Sequence, residues 1–328
     1  MIICLCTLFI SSISISLIIG FIIGLIYSKY YYDKSENDGS RKWVYFQYIL
    51  SKIFYMIQKY YFTFNIIYKG DDDLESIIKQ YQSIHLYDNE EETINDINSN
   101  CDFDDDIIVD NCLLSMNTTT TTLKNNNINR QRVIFSGHPH GLFPISSFFL
   151  ISVPQYSNDK TLWNEVTPCI HKHIFAIPIL RDIALWMGAI NVTKYNIINM
   201  LKTRSVYIAP GGCREMILTN NDNDNIQKKH TGFLKIAYQT HTPIIPIIHI
   251  GQDKVFKSYS LKWIDYIRNL ILDITGYPWP TIFIGPFPSK LTTYIFDLHN
   301  PNDYTDENKF INDYYAKLDV YYTQIDSK

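Results

Sequence analysis

Residues 136–144, SGHPHGLFP, follow a β-branched run and set His138 and His140 on either side of Pro139, with Gly141 directly behind. Proline fixes the backbone between the two rings, and glycine permits a tight turn or close approach by a substrate. A histidine titrates near neutrality, so one placed here can take a proton from an alcohol at physiological pH. The same four residues also read as a turn whose histidines cap backbone groups, or as half of a metal clamp with His171 and His173 as the other half. No Asp or Glu stands at the spacing that hydrolytic metal sites use, so no metal is expected. A second constellation, YIAPGGCREM at 207–216, passes from a strand through Gly211 and Gly212 to Arg214 and Glu215. Its turn can present backbone N–H groups to a ligand, and Glu215 can orient a hydroxyl or pair with a base. Cys213 lacks the spacing of a nucleophile elbow and reads as a small buried thiol. In a third stretch, Lys228 and Lys229 lead into a helix opening near Gly232 and Phe233 and carrying Lys235. These lysines suit phosphate groups, or a solvated helix face.

The elements that must position these residues alternate. Short apolar runs at 133–136, 205–209, 244–249 and 281–284 predict strands, and 178–187, 195–202, 232–240 and 261–271 predict helices. Strands alternating with helices imply an α/β domain over about 130–328, with a mainly parallel sheet flanked by helices.

The upstream chain is of another kind. Residues 4–27 carry no charge and, at about 1.5 Å per residue, are long enough to cross a bilayer. Lys29 and Lys34 follow this span and no basic residue precedes it, which places the body on the cytosolic side. Residues 41–68 are crowded with aromatics but include Lys52 and Lys59, so they are expected to form an interfacial helix rather than a second span. A buried aromatic helix of the globular body is the other reading. Residues 71–129 hold 14 Asp and Glu against two Lys, and their composition predicts a mostly disordered acidic insertion. The formal net charge is -4, which leaves the remainder of the chain basic and suited to an anionic ligand or membrane surface. No basic helix, zinc-knuckle spacing or aromatic sheet motif points to nucleic acid. The six cysteines are scattered and support neither a disulfide framework nor a zinc site.

In order and spacing, RVIFSGHPHG, LRDIALWMGAINVTKYNI, VYIAPGGCRE, GFLKIAYQTHTPIIPIIHIGQDKVF and PWPTIFIGPFP resemble the diacylglycerol acyltransferase 2 family. The resemblance implies a glycerophosphate-acyltransferase-like α/β fold with N-terminal membrane-embedded helices. It also implies transfer of a fatty acyl group from acyl-CoA to a neutral lipid hydroxyl such as that of diacylglycerol, at the endoplasmic reticulum or a lipid droplet. It implies no cofactor beyond acyl-CoA as co-substrate. The family's histidine block falls on His138, Pro139, His140 and Gly141, with His140 as the expected base. Its Gly-Gly-x-x-Glu block falls on Gly211, Gly212 and Glu215. Arg181, Asp182, Arg214, Lys228, Lys229, Gly232, Phe233 and Lys235 join the expected substrate-binding set. Related glycerophosphate acyltransferases place an Asp five positions after the first histidine; here that position is Phe143, so Glu215 or Asp182 is the expected carboxylate partner. The family's basic pair before Gly-Phe is His230-Thr231 here. A lysophospholipid acyltransferase and a non-catalytic lipid-binding membrane protein are the alternatives, and the oligomeric state stays open.

Overall fold

A computed structural model describes residues 22, 26, 27, 33–69, 132–152, 162–212, 215, 216, 230–259, 263, 266, 267, 270, 271, 274 and 282–326. The chain divides into two units, Met1–Leu74 with Arg132–Lys328, and Glu75–Gln131. The expected insertion at 71–129, most of the expected span at 4–27, and Cys213, Arg214, Lys228 and Lys229 lie outside the described residues.

The described elements of the first unit are α1 (Val44–Tyr60), β1 (Thr63–Tyr68), β2 (Ile134–His138), α2 (Ile145–Ser152), β3 (Val166–Ile170), α3 (Lys172–Phe175), α4 (Leu180–Trp186), β4 (Ile190–Asn191), α5 (Lys194–Leu201), β5 (Ser205–Ile208), α6 (Gly232–Gln239), β6 (Ile244–Ile250), β7 (Lys257–Tyr259), β8 (Ile282–Ile284), β9 (Lys290–Ile295) and α7 (Glu307–Asp326). Seven strands form one sheet in the order β1-β9-β6-β2-β5-β3-β4. All neighbours run parallel except β6 and β9. β7 and β8 make a separate antiparallel ribbon. The fold is thus α/β, with a mainly parallel sheet flanked by helices.

β2 occupies the centre, and its five residues are all buried, as a strand covered on both faces must be. Side chains alternate across the sheet. Ile134, Val206, Ile208, Ile244 and Ile248 pack with α5, α6 and α7 in one core. Gly137, Tyr207 and His249 fall on the alternate positions, where Tyr207 and His249 meet Ser147 of α2.

The aromatic segment differs from its expected form. The helix ends at Tyr60, and 63–68 is strand β1, parallel to β9, rather than the continuation of an interfacial helix. The period changes there from helical to alternating: Phe62 and Phe64 are buried against Phe149 while Thr63 and Asn65 face outward. α1 itself is inverted relative to an ordinary surface helix. Its buried residues are polar, with Gln47 donating to the Met187 carbonyl at 2.9 Å and Ser51 accepting from Trp163 Nε1 at 2.9 Å. Its exposed residues include Val44, Tyr45, Tyr48, Ile49, Ile53, Met56 and Tyr60, with Lys52 and Lys59 lying over the rings of Tyr48 and Tyr60. No helix among the described residues is long and apolar enough to cross a membrane.

A charged clasp joins the segment before α1 to α4. Arg181, 1% exposed, reaches Asp33 at 2.7 Å and Glu36 at 3.1 Å, while Arg41 and the Tyr27 hydroxyl meet Asp182 at 3.0 and 2.6 Å.

Candidate active site

β2 ends on His138, and the turn through Pro139, His140 and Gly141 delivers the chain to α2. The turn therefore sits at the carboxyl edge of the central strand, the usual crevice of an open α/β sheet. The two histidines have different surroundings. His138 is 0% exposed, and its Nε2 lies 2.9 Å from Ser136 Oγ and 3.0 Å from the Tyr314 hydroxyl of α7. Burial holds its pKa down to about 3, so it is a neutral ring inside the core. His140 is only partly enclosed. Its Nδ1 lies 2.9 Å from the Gly141 carbonyl oxygen. A carbonyl can only accept, so Nδ1 carries the proton and Nε2 keeps the lone pair. Burial lowers the His140 pKa while the Gly141 carbonyl pulls it back up, and the net result is below the ordinary value. The arrangement is that of a neutral imidazole with a fixed tautomer and a basic Nε2.

The Pro-Gly-Gly turn after β5 comes to the same place. The Glu215 carboxylate accepts a hydrogen bond from the backbone N–H of His140. It folds back over Gly211 so closely that a Cβ there would stand 1.7 Å from its Oε2. A side chain at 211 would push this carboxylate out of its present position. The carboxylate thus holds the backbone of His140, while the ring's Nδ1 is held by the Gly141 carbonyl. Within the turn, Gly212 N–H is spent on the Ala209 carbonyl at 3.3 Å, and Glu215 N–H on Gly211 at 3.3 Å. Pro210 has no N–H, so the Gly211 N–H is the next described donor of this turn.

Gln252, after β6, lies in the polar Gly-Gln-Asp turn of the block at 232–256, where the sequence assigned it no role. Its Nε2 donates to the Pro139 carbonyl, and its side chain packs where a Cβ on Gly141 would touch it at 3.4 Å. Tyr314, the partner of His138, also went unmarked, because 176 residues separate them. So did a buried group in which Tyr207 OH lies 2.6 Å from Ser147 Oγ and 2.8 Å from His249 Nε2, with His249 Nδ1 2.9 Å from Thr293 Oγ1. A strand histidine between two isoleucines was the available signal for His249.

The other expected residues separate from this centre. Arg181 and Asp182 meet the 27–41 segment in the clasp. Phe233 is buried, with its ring centroid 6.4 Å from His138 and 5.6 Å from Tyr314, so it supports the core. Gly232 opens α6, and Lys235 lies exposed on it. The His171 and His173 rings lie tilted with centroids 4.7 Å apart, and no three His, Cys, Asp or Glu side chains among the described residues gather as a metal set. Phe143 meets Phe256 and Phe283 at 5.0 and 5.1 Å, which ties the turn after His140 to the β7–β8 ribbon through aromatic edges.

Comparison with known proteins bears on this geometry. The chain is 26% identical over 162 residues to Diacylglycerol O-acyltransferase 2B of Umbelopsis ramanniana, covering 45% of this chain and 44% of that one. It is 26% identical over 169 residues to Diacylglycerol O-acyltransferase 2 of Dictyostelium discoideum, covering 48% and 49%. It is 26% identical over 157 residues to 2-acylglycerol O-acyltransferase 1 of Homo sapiens, covering 45% and 47%. The matched region spans about half the length of these relatives or less. The crystal structure of 1-acyl-sn-glycerophosphate acyltransferase PlsC from Thermotoga maritima aligns with a TM-score of 0.38 at 13% identity, covering 61% of this chain and 68% of that one. A family model described as Diacylglycerol acyltransferase matches residues 115–287, more than half of the chain and the whole of both turns. On that match the chain belongs to the diacylglycerol acyltransferase family.

Proposed function

We propose that the protein is a membrane-bound O-acyltransferase that moves a fatty acyl group from acyl-CoA to a lipid hydroxyl, with diacylglycerol as acceptor and triacylglycerol as product. The observation that carries this is the His140 tautomer: Nδ1 is held by Gly141 and Nε2 is left basic at the sheet's carboxyl edge. Nε2 takes the proton of the acceptor hydroxyl as its oxygen attacks the thioester carbonyl. A C–O bond forms, the carbonyl oxygen becomes an oxyanion, and the Gly211 N–H is the proposed donor to receive it. The tetrahedral carbon then expels coenzyme A as thiolate, which collects the proton from the imidazolium. No covalent enzyme intermediate and no metal enters this sequence. The acceptor is proposed from the names of the relatives.

The outward apolar face of α1, with two lysines over its rings, supports contact with an anionic bilayer surface, as does the uncharged apolar run at 4–27. Endoplasmic-reticulum or lipid-droplet membrane, with the α/β body toward the cytosol, is the proposed location. Lys228, Lys229 and Lys235 are the proposed contacts for coenzyme A phosphates.

The test is transfer of labelled acyl groups from acyl-CoA by membranes carrying the wild-type chain or His140→Ala, with diacylglycerol, monoacylglycerol, fatty alcohol and lysophospholipid offered in parallel. Label is expected in triacylglycerol with wild type, reduced on the order of 100-fold or more by the substitution. Label in phospholipid alone would move the assignment to the lysophospholipid branch, and full activity of the variant would remove His140 from the chemistry.

A further inference from the structure

We infer that Gln252 is a positioning residue for the reaction, acting with Glu215 to clamp the single peptide unit between Pro139 and His140. This rests on the acyl-transfer reading above. The carbonyl of Pro139 and the N–H of His140 belong to one planar amide. Gln252 Nε2 donates to that carbonyl, and the Glu215 carboxylate accepts from that N–H. The plane is therefore gripped on opposite edges by two side chains from different loops, one after β6 and one after β5. Its orientation sets the backbone torsions on either side of it, and with them the direction in which the His140 ring leaves the chain.

The two grips also reinforce each other. A carboxylate drawing on the N–H pushes electron density toward the carbonyl oxygen, and a donor on that oxygen draws it the same way. Losing one weakens the other. The Gln252 loop is itself fixed: Gly251 has φ 90°, and a Cβ there would stand 2.2 Å from the Lys290 carbonyl oxygen of β9. Gln252 is 2% exposed and its Oε1 has no hydrogen-bond partner. An apolar side chain of similar length would fill the space without stranding a buried acceptor. The amide at this position is explained by what its Nε2 does at Pro139.

The experiment compares full-length wild type, Gln252→Met, Gln252→Asn, Glu215→Gln and the Gln252→Met/Glu215→Gln double variant in membranes, measuring kcat and the KM for acyl-CoA and for diacylglycerol. Gln252→Met is expected to lower kcat about 10- to 100-fold with both KM values unchanged, the signature of a misaligned base. The Gln252→Asn side chain keeps the amide but stops one methylene short of Pro139. It is expected to show the same split and covers the case in which the Met variant folds poorly. Because both residues act on one peptide unit, the double variant is expected to fall much less than the product of the single losses. Unchanged kcat in both Gln252 variants, a change confined to KM, or losses that multiply would overturn the inference. If the wild type transfers no acyl group to any acceptor, the functional reading fails by itself. The clamp is then read from ¹⁵N-histidine-labelled protein, in which the His140 amide proton is expected far downfield and shifted in Gln252→Met; an unmoved resonance overturns it.

Discussion

His140 is suited to accept a proton because two neighbouring groups fix its state before any substrate arrives: the Gly141 carbonyl selects the tautomer, and burial disfavours the imidazolium. A histidine whose pKa lies below the ordinary 6.5 keeps its basic form to lower pH. The acid limb of kcat/KM is accordingly expected to reflect a single ionisation below 6.5, so that more than half of the plateau activity remains at pH 6.5 itself. A pH–rate profile checks this, and a limb at or above 6.5 would contradict the lowered pKa of His140. Gly211→Ala places a methyl on the Glu215 carboxylate and must displace it. A loss of roughly 10-fold or more in kcat with an intact fold by circular dichroism is expected. At this scale the histidine block and the Gly-Gly-x-x-Glu block were legible in the sequence, since their residue types announce their chemistry. Gln252 and Tyr314 were not. A glutamine in a polar turn and a tyrosine on a C-terminal helix look like many others until the fold brings them against Pro139 and His138.

Among the elements, α1 and the clasp before it show how packing overrides pattern. The sequence of α1 is rich in rings, and the structure turns its polar residues Gln47 and Ser51 inward instead. Replacing Ile49 and Ile53 with Glu on its outer face is expected to raise the apparent KM for membrane-borne acceptor several-fold at unchanged kcat, measured with vesicles of fixed composition. No change would dissociate this face from the membrane. In the clasp, Glu36 faces an Arg181 guanidinium that is almost wholly enclosed. Glu36→Leu leaves that charge short of a partner and is expected to destabilise the fold by about 3 kcal/mol, seen as a lowered thermal midpoint in detergent. The strands at 133–136, 205–209 and 244–249 were readable because each is a β-branched run bounded by turn residues. β1 was not, because the aromatic run continues from α1 into it and only the alternation starting at Phe62 separates the two.

For the molecule as a whole, two enclosed histidines make the fold sensitive to acid. Burial lowers His138 to about 3, and burial together with neighbouring His138 does the same for His249. The unfolded chain binds these protons near 6.5, so stability is full above that pH and declines as pH falls toward 3. Each histidine contributes a slope of about 1.4 kcal/mol per pH unit between those values. Denaturant unfolding from pH 6.5 to 4.5 is expected to show this combined slope, and His249→Gln to reduce it by about 1.4 kcal/mol per unit. An unchanged slope would mean that His249 is protonated in the native state.

The pairing of Thr63 in β1 with Lys290 in β9 joins residues more than two hundred positions apart. At about 5–20 residues per second, a ribosome takes roughly 10 to 45 s to pass from one to the other. Throughout that interval β1 has left the ribosome with no partner for its backbone edge, next to an apolar segment that is already made. The order of synthesis therefore leaves α1 and β1 waiting before the sheet can close, and the turns that carry His140 and Gly211 are complete before β9 arrives to lock the Gly251–Gln252 loop in place.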